Sequence, residues 1–565
     1  MNRKTVLLIL IFCLAAFFRL QNVNWDSNAH LHPDERFLTM VGNAMKLPQT
    51  FGDYLEPKTS TFNPTNIGYP FFVYGTFPII VNKLIAIVAG TDNYETFVLQ
   101  GRVLAALADL TILIFLFKSV ELLEKKAKFE KNVKYWAIFL YSIAVLPIQL
   151  SHFFATDSFL NMFMFGSFYF ALRYDSKEQL QDVLGSAIFL GLAIASKMNA
   201  VFILPLVCYF FVKKILFEKR DIKSFILLGL LFVLVGYTVL RLSAPYYFQT
   251  GNMFDFSLNG EFVNNIKSLK SYENPDIWYP PAVQWINTKA FVFSLVNLAL
   301  FGLGIPCFIA LIWGIIKSWE NHYLRIAVIW VLGIFIYQST QFVKVLRYFI
   351  YLYPFYAIFA ATGIQSIMRH VLRVKWYFVP RNRKGIVIHI LTVGVLLIWP
   401  LLFTSIYLNH HTRVTASEWI YNNLPTGSKI LSEYWDDGLP VYNIGLNGKQ
   451  FVGDSLKVFD PESSAKWETI AAQLKSADYY ILSSNRGWGS IPAVPKKYPE
   501  TTQFYKELFS SQTTYRLIKE FYPSYYPYTG MSTLSKYLLS NWFDESFTVY
   551  DHPTVLIFKN EKNTR

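Results

Sequence analysis

The sequence predicts a polytopic α-helical membrane protein of about eleven transmembrane helices, followed by an extracytoplasmic α/β domain. Three observations lead there. Of the 565 residues, 53% are hydrophobic and 18% aromatic, while only 16% are charged, against about 25% in soluble proteins. The mean hydropathy is +0.29. The basic residues behind the formal charge of +14 cluster in short segments between apolar runs, as the positive-inside rule requires, so the charge calls for no nucleic-acid partner.

A span needs about 20 mostly apolar residues. The candidates are 5–21, 100–117, 134–150, 155–172, 183–198, 199–216, 224–242, 290–316, 325–341, 346–367 and 386–408. The first follows Arg3 and Lys4 and lacks a small-residue cleavage site, so it reads as an uncleaved helix with a cytoplasmic N-terminus. The basic loops test the parity. Lys118, Lys125, Lys126, Lys128, Lys131 and Lys134 form one loop, and Lys213, Lys214, Lys219, Arg220 and Lys223 a second. Arg369, Arg373, Lys375, Arg381, Arg383 and Lys384 form the third. With eleven spans, all three lie on the N-terminal, cytoplasmic side.

Residues 71–90 are apolar enough to span, but a span there would invert every later basic loop, and Pro78 and Lys83 interrupt it. They read as interfacial or re-entrant, within a first external loop from 22 to 99. A second external loop, 243–289, carries Tyr246, Tyr247, Phe248, Trp278, Tyr279 and Trp285, suited to an interfacial belt or to stacking on sugars. Residues 1–408 thus form the membrane domain and 409–565 the external one. In the latter, strands are expected at Lys429, Tyr479 and Thr554, and helices over Thr415–Asn423 and Pro499–Lys519. The cysteines Cys13, Cys208 and Cys307 lie in apolar runs and form no disulfide or zinc pattern.

The same topology gathers charge on the outer face. Asp34 and Glu35 follow the first span, and Asp157 lies between the third and fourth. Arg102 opens the second span, Lys197 occupies an external turn, and Lys344 and Arg347 precede the tenth span. Arg and Lys suit an anionic lipid headgroup. A carboxylate beside them suits a general base for an acceptor hydroxyl, and a second suits orienting that acceptor. Asp157 and Glu35 also suit a divalent cation near the phosphate. Each residue has a duller use: snorkelling for Arg102, Lys344 and Arg347, capping for Asp157, and a helix start for His32-Pro33-Asp34-Glu35.

Four motifs in order, His32-Pro33-Asp34-Glu35, Gly101-Arg102, Asp157 and Gly191–Asn199 with Lys197, resemble one family. Arg347-Tyr348-Phe349 with Tyr353-Pro354 adds a fifth. The family comprises the polyprenyl-phosphate-sugar-dependent GT-C glycosyltransferases of the protein O-mannosyltransferase and aminoarabinose lipid A transferase branch. The resemblance implies inverting transfer of one sugar from a polyprenyl-phosphate donor to a protein, lipid or glycan acceptor outside the cytoplasm. Asp34 would then be the base or acceptor-positioning group, Glu35 its support, and Asp157 a second site carboxylate. Arg102, Lys197 and Arg347 would hold the donor phosphate. No β-trefoil-like insertion is present, and the external domain resembles that of bacterial members, which points to a bacterial cytoplasmic membrane.

Two alternatives stand beside this reading. Tyr434-Trp435-Asp436-Asp437-Gly438 differs at its first position from the Trp-Trp-Asp-x-Gly signature of oligosaccharyltransferases, which transfer to Asn. A lipid or solute transporter is the non-enzymatic reading, but no paired repeat is visible.

Overall fold

The computed structural model describes residues 2–126, 132–218, 221–370, 383–441, 448–523 and 544–563. Lys128, Lys131, Lys219, Arg220, Arg373, Lys375 and Arg381 of the basic loops lie outside the described residues.

Among the described residues, helix occupies each of the eleven apolar segments. The first is α1 (Arg3–Leu20), followed after a loop by α2 (Pro33–Ala44) and α3 (Thr76–Ala89). Next come α4 (Tyr94–Lys126), the bent pair α5 (Val133–Ser142) and α6 (Val145–Ser151), α7 (Thr156–Lys177), α8 (Leu180–Ser196) and α9 (Leu204–Glu218). Then follow α10 (Ile222–Ser243), the loop helix α11 (Gly260–Ser271), α12 (Ile305–Trp319), α13 (His322–Thr340), α14 (Tyr353–His370) and α15 (Arg383–Thr404). By length and apolar composition, 5 of the described helices reach across a bilayer, or 6 with α5 and α6 taken as one span bent by 54°. The protein is a multi-pass membrane protein.

Burial explains why the helices differ in composition. Helix α10 presents Leu227, Leu230, Val233 and Leu234 to its surroundings at 60–68% exposure, which suits lipid. Helix α7 is enclosed by neighbouring helices, so its polar Asn161 and Ser167 are buried and meet protein partners. Segment 71–90 yields α3, whose 14 residues extend about 21 Å, short of the roughly 30 Å hydrocarbon core. The intrusive Lys83 is buried against Asp92, at 2.6 Å.

The bend between α5 and α6 exposes backbone carbonyls inside the bundle, where no water is available. Arg19 of α1 donates there, to Ser142 O at 2.8 Å and Tyr141 O at 3.1 Å, while its Nε pairs with Asp109 of α4. The phenol of Tyr141 donates to the other Asp109 oxygen at 2.6 Å.

Beyond α15, helix α16 (Thr412–Asn423) leads into a five-stranded sheet. Its elements are β1 (Lys429–Glu433), β2 (Val452–Leu456), α17 (Ser464–Ser476), β3 (Tyr479–Leu482), α18 (Pro499–Phe509), β4 (Tyr515–Phe521) and β5 (Val555–Asn560). The strand order is β2-β1-β3-β5-β4. β1 runs parallel to β2 and β3, and β5 antiparallel to β3 and β4. The expected helix through Lys519 stops at Phe509. Ser511 takes a left-handed φ of 58°, and the chain re-enters as β4, paired along β5. β2 had no sequence expectation, and β4 replaces the end of the expected helix; β2 carries two exposed positions and a glycine.

Glu433, at the end of β1, is buried and accepts the phenols of Tyr480, at 2.6 Å, and Tyr505, both on Oε1. Burial pushes its carboxyl up to about 7. A folded-state value above the ordinary one means stability is fullest below the ordinary range and declines as pH rises through 7. Glu433→Gln keeps the accepting oxygen and removes the charge. It is expected to stabilise the sheet at pH 8 by on the order of 3 kcal/mol, with the gain shrinking toward pH 5. Thermal melting of the purified protein at both pH values checks this; an equal gain at each counts against it.

Candidate functional site

The site begins at the N-terminus of α2. His32 caps the helix, its Nδ1 accepting the Glu35 amide at 3.4 Å, and Pro33 opens the first turn. Burial holds the His32 imidazole at about 4, so it is neutral at pH 7 and free to accept. Consecutive helical residues diverge by about 100° around the axis, and the adjacent acids accordingly face different ways.

Asp34 points into a cavity of about 440 Å³. Its carboxylate pairs with the Arg347 guanidinium, and both side chains are 18% exposed. Burial alone would raise the Asp34 carboxyl. The Arg347 charge overcomes this, with a hydrogen bond from Tyr74 assisting, and holds it well below the usual carboxylate range. Across the same cavity, Asp157 in the first turn of α7 accepts Lys197 Nζ at 2.8 Å. Lys197 sits in extended backbone between α8 and a 3-10 turn, with its ammonium 5.1 Å from the Tyr348 ring. The loop bearing Tyr74 reaches this point because Gly75 packs on the end of α8, where a Cβ would lie 2.1 Å from the Ala195 carbonyl.

Glu35 turns away from the cavity and is fully buried. It takes Arg102 Nε at 2.8 Å and Nη2 at 2.9 Å, and the Phe154 amide at 2.6 Å. Arg102 also grips Asp26 at 3.0 and 2.9 Å, with its guanidinium 4.7 Å over the Trp25 ring. Gly101 makes room for this: a Cβ there would meet the Phe154 ring at 2.3 Å. Burial raises the Glu35 carboxyl despite Arg102. The Asp26 carboxyl, against its own burial, is held at about 2 by Arg102.

The structure therefore brings Asp34, Asp157, Lys197 and Arg347 onto one cavity and leaves Glu35, Arg102 and Lys344 off its wall. Arg102 and Glu35, expected at the donor phosphate and beside the base, form a closed network behind α2. Lys344, also expected at the phosphate, donates to the carbonyls of Gln341 and Phe342 at 3.1 and 3.0 Å. Burial pushes its ammonium down. Asp157 and Glu35, considered as metal ligands, are each taken by a different cation, Lys197 and Arg102. Among the described residues no group of three or more His, Cys, Asp or Glu gathers around a common point.

The cavity wall also holds Tyr74, Glu273, Tyr279, Gln284, Glu545 and Tyr550, which sequence reasoning missed. Only Tyr279 carried a signal, as part of the aromatic loop. Glu545 pairs with Arg486 and accepts Gln284 at 3.0 Å. The Trp435-Asp436-Asp437 motif lies close by. Asp436 and Asp437 each hold Arg413 at 2.7 Å, and Asp437 holds Arg36 of α2 at 2.8 Å.

Residues 84–240 match the family model described as dolichyl-phosphate-mannose-protein mannosyltransferase. The whole fold is similar to the oligosaccharyltransferase AglB from Archaeoglobus fulgidus. Its complex with an inhibitory peptide and a dolichol-phosphate aligns at TM-score 0.54 and 12% identity, covering 98% of this chain and 88% of that one. Its complex with zinc and sulfate gives TM-score 0.52 and 13% identity over the same shares. ArnT from Cupriavidus metallidurans in the apo state aligns at TM-score 0.45 and 15% identity, covering 85% of this chain and 93% of that one. No curated protein matches the chain by sequence.

The fold is thus similar to that of an oligosaccharyltransferase, and the matched segment is similar to a mannosyltransferase model, both of them glycosyltransferases. The segment similar to the mannosyltransferases runs from α4 through most of α10 and includes Arg102, Asp157 and Lys197; Asp34 lies ahead of it.

Proposed function

We propose that the protein transfers a single sugar, with inversion, from a polyprenyl-phosphate-linked donor to a hydroxyl- or phosphate-bearing acceptor. The reaction takes place on the extracytoplasmic face of a bacterial cytoplasmic membrane, with the C-terminal sheet on that side. The observation that carries this reading is one cavity in which two carboxylate–cation pairs, Asp34–Arg347 and Asp157–Lys197, face each other. A lipid phosphate entering between them exchanges one anion for another at each cation, so Arg347 and Lys197 are ready-made phosphate ligands. The dolichol-phosphate bound to the structurally similar AglB supports a donor of this type.

In this mechanism the acceptor hydroxyl oxygen attacks the anomeric carbon as the bond to the lipid phosphate breaks on the opposite face. Asp34 takes the hydroxyl proton. The negative charge arriving on the leaving phosphate is stabilised by Arg347 and Lys197. Asp157 keeps Lys197 aimed at the cavity, and the Asp26–Arg102–Glu35 network fixes α2 so that Asp34 points inward.

The pairing predicts a pH signature. In the free enzyme Arg347 holds the Asp34 carboxyl down, so the acid limb of kcat/KM falls at low pH. Once Arg347 turns to the donor phosphate, that restraint weakens and burial remains. The acid limb of kcat is therefore expected at higher pH than that of kcat/KM. Limbs at the same pH would argue against the exchange.

The direct test supplies purified protein with polyprenyl-phosphate monosaccharides and follows donor consumption and the product. Cells lacking the protein should accumulate one such donor. If no donor of this class is consumed, the proposal fails. The position of Trp435-Asp436-Asp437 beside α2 favours one second reading, oligosaccharide transfer to Asn, and product analysis separates the two.

A further inference from the structure

The short helix Glu545–Thr548 belongs in sequence to the C-terminal sheet region, yet it is fastened to the helical bundle. Phe547 is buried in the bundle core, stacked on Phe301 with ring centroids 4.2 Å apart. Gln149 of α6 donates to Ser546 O at 3.1 Å. Ahead of the helix stands Asp544, fully buried. One carboxylate oxygen caps the helix, accepting the Ser546 amide at 2.7 Å. An N-cap needs no more than that. The second oxygen instead accepts the Leu346 amide at 2.8 Å, and the Asp544 amide donates to Asn297 Oδ1 at 2.9 Å. Leu346 immediately precedes Arg347, and the turn that carries both follows Lys344 and begins a 3-10 helix. Glu545 and Tyr550, one and six residues after Asp544, line the cavity beside Arg347.

We propose that Asp544 is a positioning residue for the transfer reaction: through the Leu346 amide it sets the backbone from which Arg347 meets Asp34 and the donor phosphate. This rests on the transferase reading above. The segment that leads into β5 is then a structural part of the transfer site. Asp544→Ala leaves the Leu346 amide without an acceptor and the turn free to shift. Asp544→Asn keeps one side-chain oxygen able to take that amide, its NH2 then facing the Ser546 hydroxyl in place of the cap.

The test compares both variants with the wild type in detergent, using whichever polyprenyl-phosphate monosaccharide the wild type consumes. Asp544→Ala is expected to raise the donor KM and lower kcat/KM at least about tenfold, and Asp544→Asn to remain within about threefold. In an Arg347→Lys background, adding Asp544→Ala should cost less than threefold, because coupled residues are not additive. A purely structural contribution would multiply in full, and that result overturns the proposal. Hydrogen–deuterium exchange reads the same point without activity. Asp544→Ala should speed exchange at 345–352 while β5 stays protected, and unchanged exchange there also overturns it. Failure of the wild type to consume any such donor indicts the transferase reading, whereas the exchange result bears on Asp544 alone.

Discussion

Replacing Asp34 with Asn is expected to cut transfer by about 10²–10⁴-fold, the usual contribution of a positioned general base. The amide fills the same space on α2 but accepts no proton at neutral pH. It also releases Arg347 from its ion pair, so the lipid phosphate meets a cation with no competing carboxylate. The loss should therefore fall on kcat, with the donor KM unchanged or lower, a split that a merely unfolded site does not show. Asp34→Glu, which keeps the charge on a longer arm, should retain more activity than the Asn variant. Steady-state kinetics on donor and acceptor decide the matter. An Asn variant within tenfold of wild type in kcat removes Asp34 from the base role.

Arg102→Ala is expected to be the most damaging single change to the stability of the site region. It strips the cation from Asp26 and Glu35, which are 1% and 0% exposed, and leaves two carboxylates buried together. Removing one partner of a buried pair costs roughly 3–5 kcal/mol, enough to threaten a marginally stable fold. The loss should ease at low pH, where both stranded carboxyls take up protons. Arg102→Lys restores the charge but not the fork that engages two carboxylates at once, so partial recovery is expected. Yield and thermal melting across pH 5–8 report the effect. A variant that melts like wild type but binds donor poorly would return Arg102 to the phosphate.

Both experiments turn on a division that the His32-Pro33-Asp34-Glu35 motif left open. The adjacent acids, the helix start and the nearby Arg102 were all legible, because capping chemistry and membrane-edge charge are written locally. Which acid faces substrate was not. One residue of helical rotation separates a carboxylate in the cavity from one sealed against Arg102, and only the packing of α4 and the 152–155 turn against α2 decides the angle. Lys197 was legible as an isolated cation in a short turn, and Asp157 as an acid at a helix start. That they pair with each other across the cavity from Asp34 is a matter of helix packing. Lys344 looked equivalent to Arg347 in sequence, yet three residues of tight turn point its ammonium at backbone carbonyls instead.

Hydrophobic length and composition marked where helices form, since both are properties of a window of about twenty residues. They did not show that α5 and α6 break, because the donor that makes the break tolerable, Arg19, lies more than 120 residues away in the chain. The sheet was half legible. Continuous apolar strands such as β3 and β5 announce themselves, while β2 and β4 depend on a neighbour to pair with. Glu545 and Tyr550 carried no signal at all. They reach the cavity from more than 500 residues after Asp34, and nothing in a polar C-terminal segment says that it returns to the bundle. What the chain alone determined was the solvent each segment prefers and the charges placed at the helix ends. Which of those charges meet, and which stand open to a substrate, was decided by contacts between distant segments, because the pairing of buried charges depends on the three-dimensional distances that packing sets.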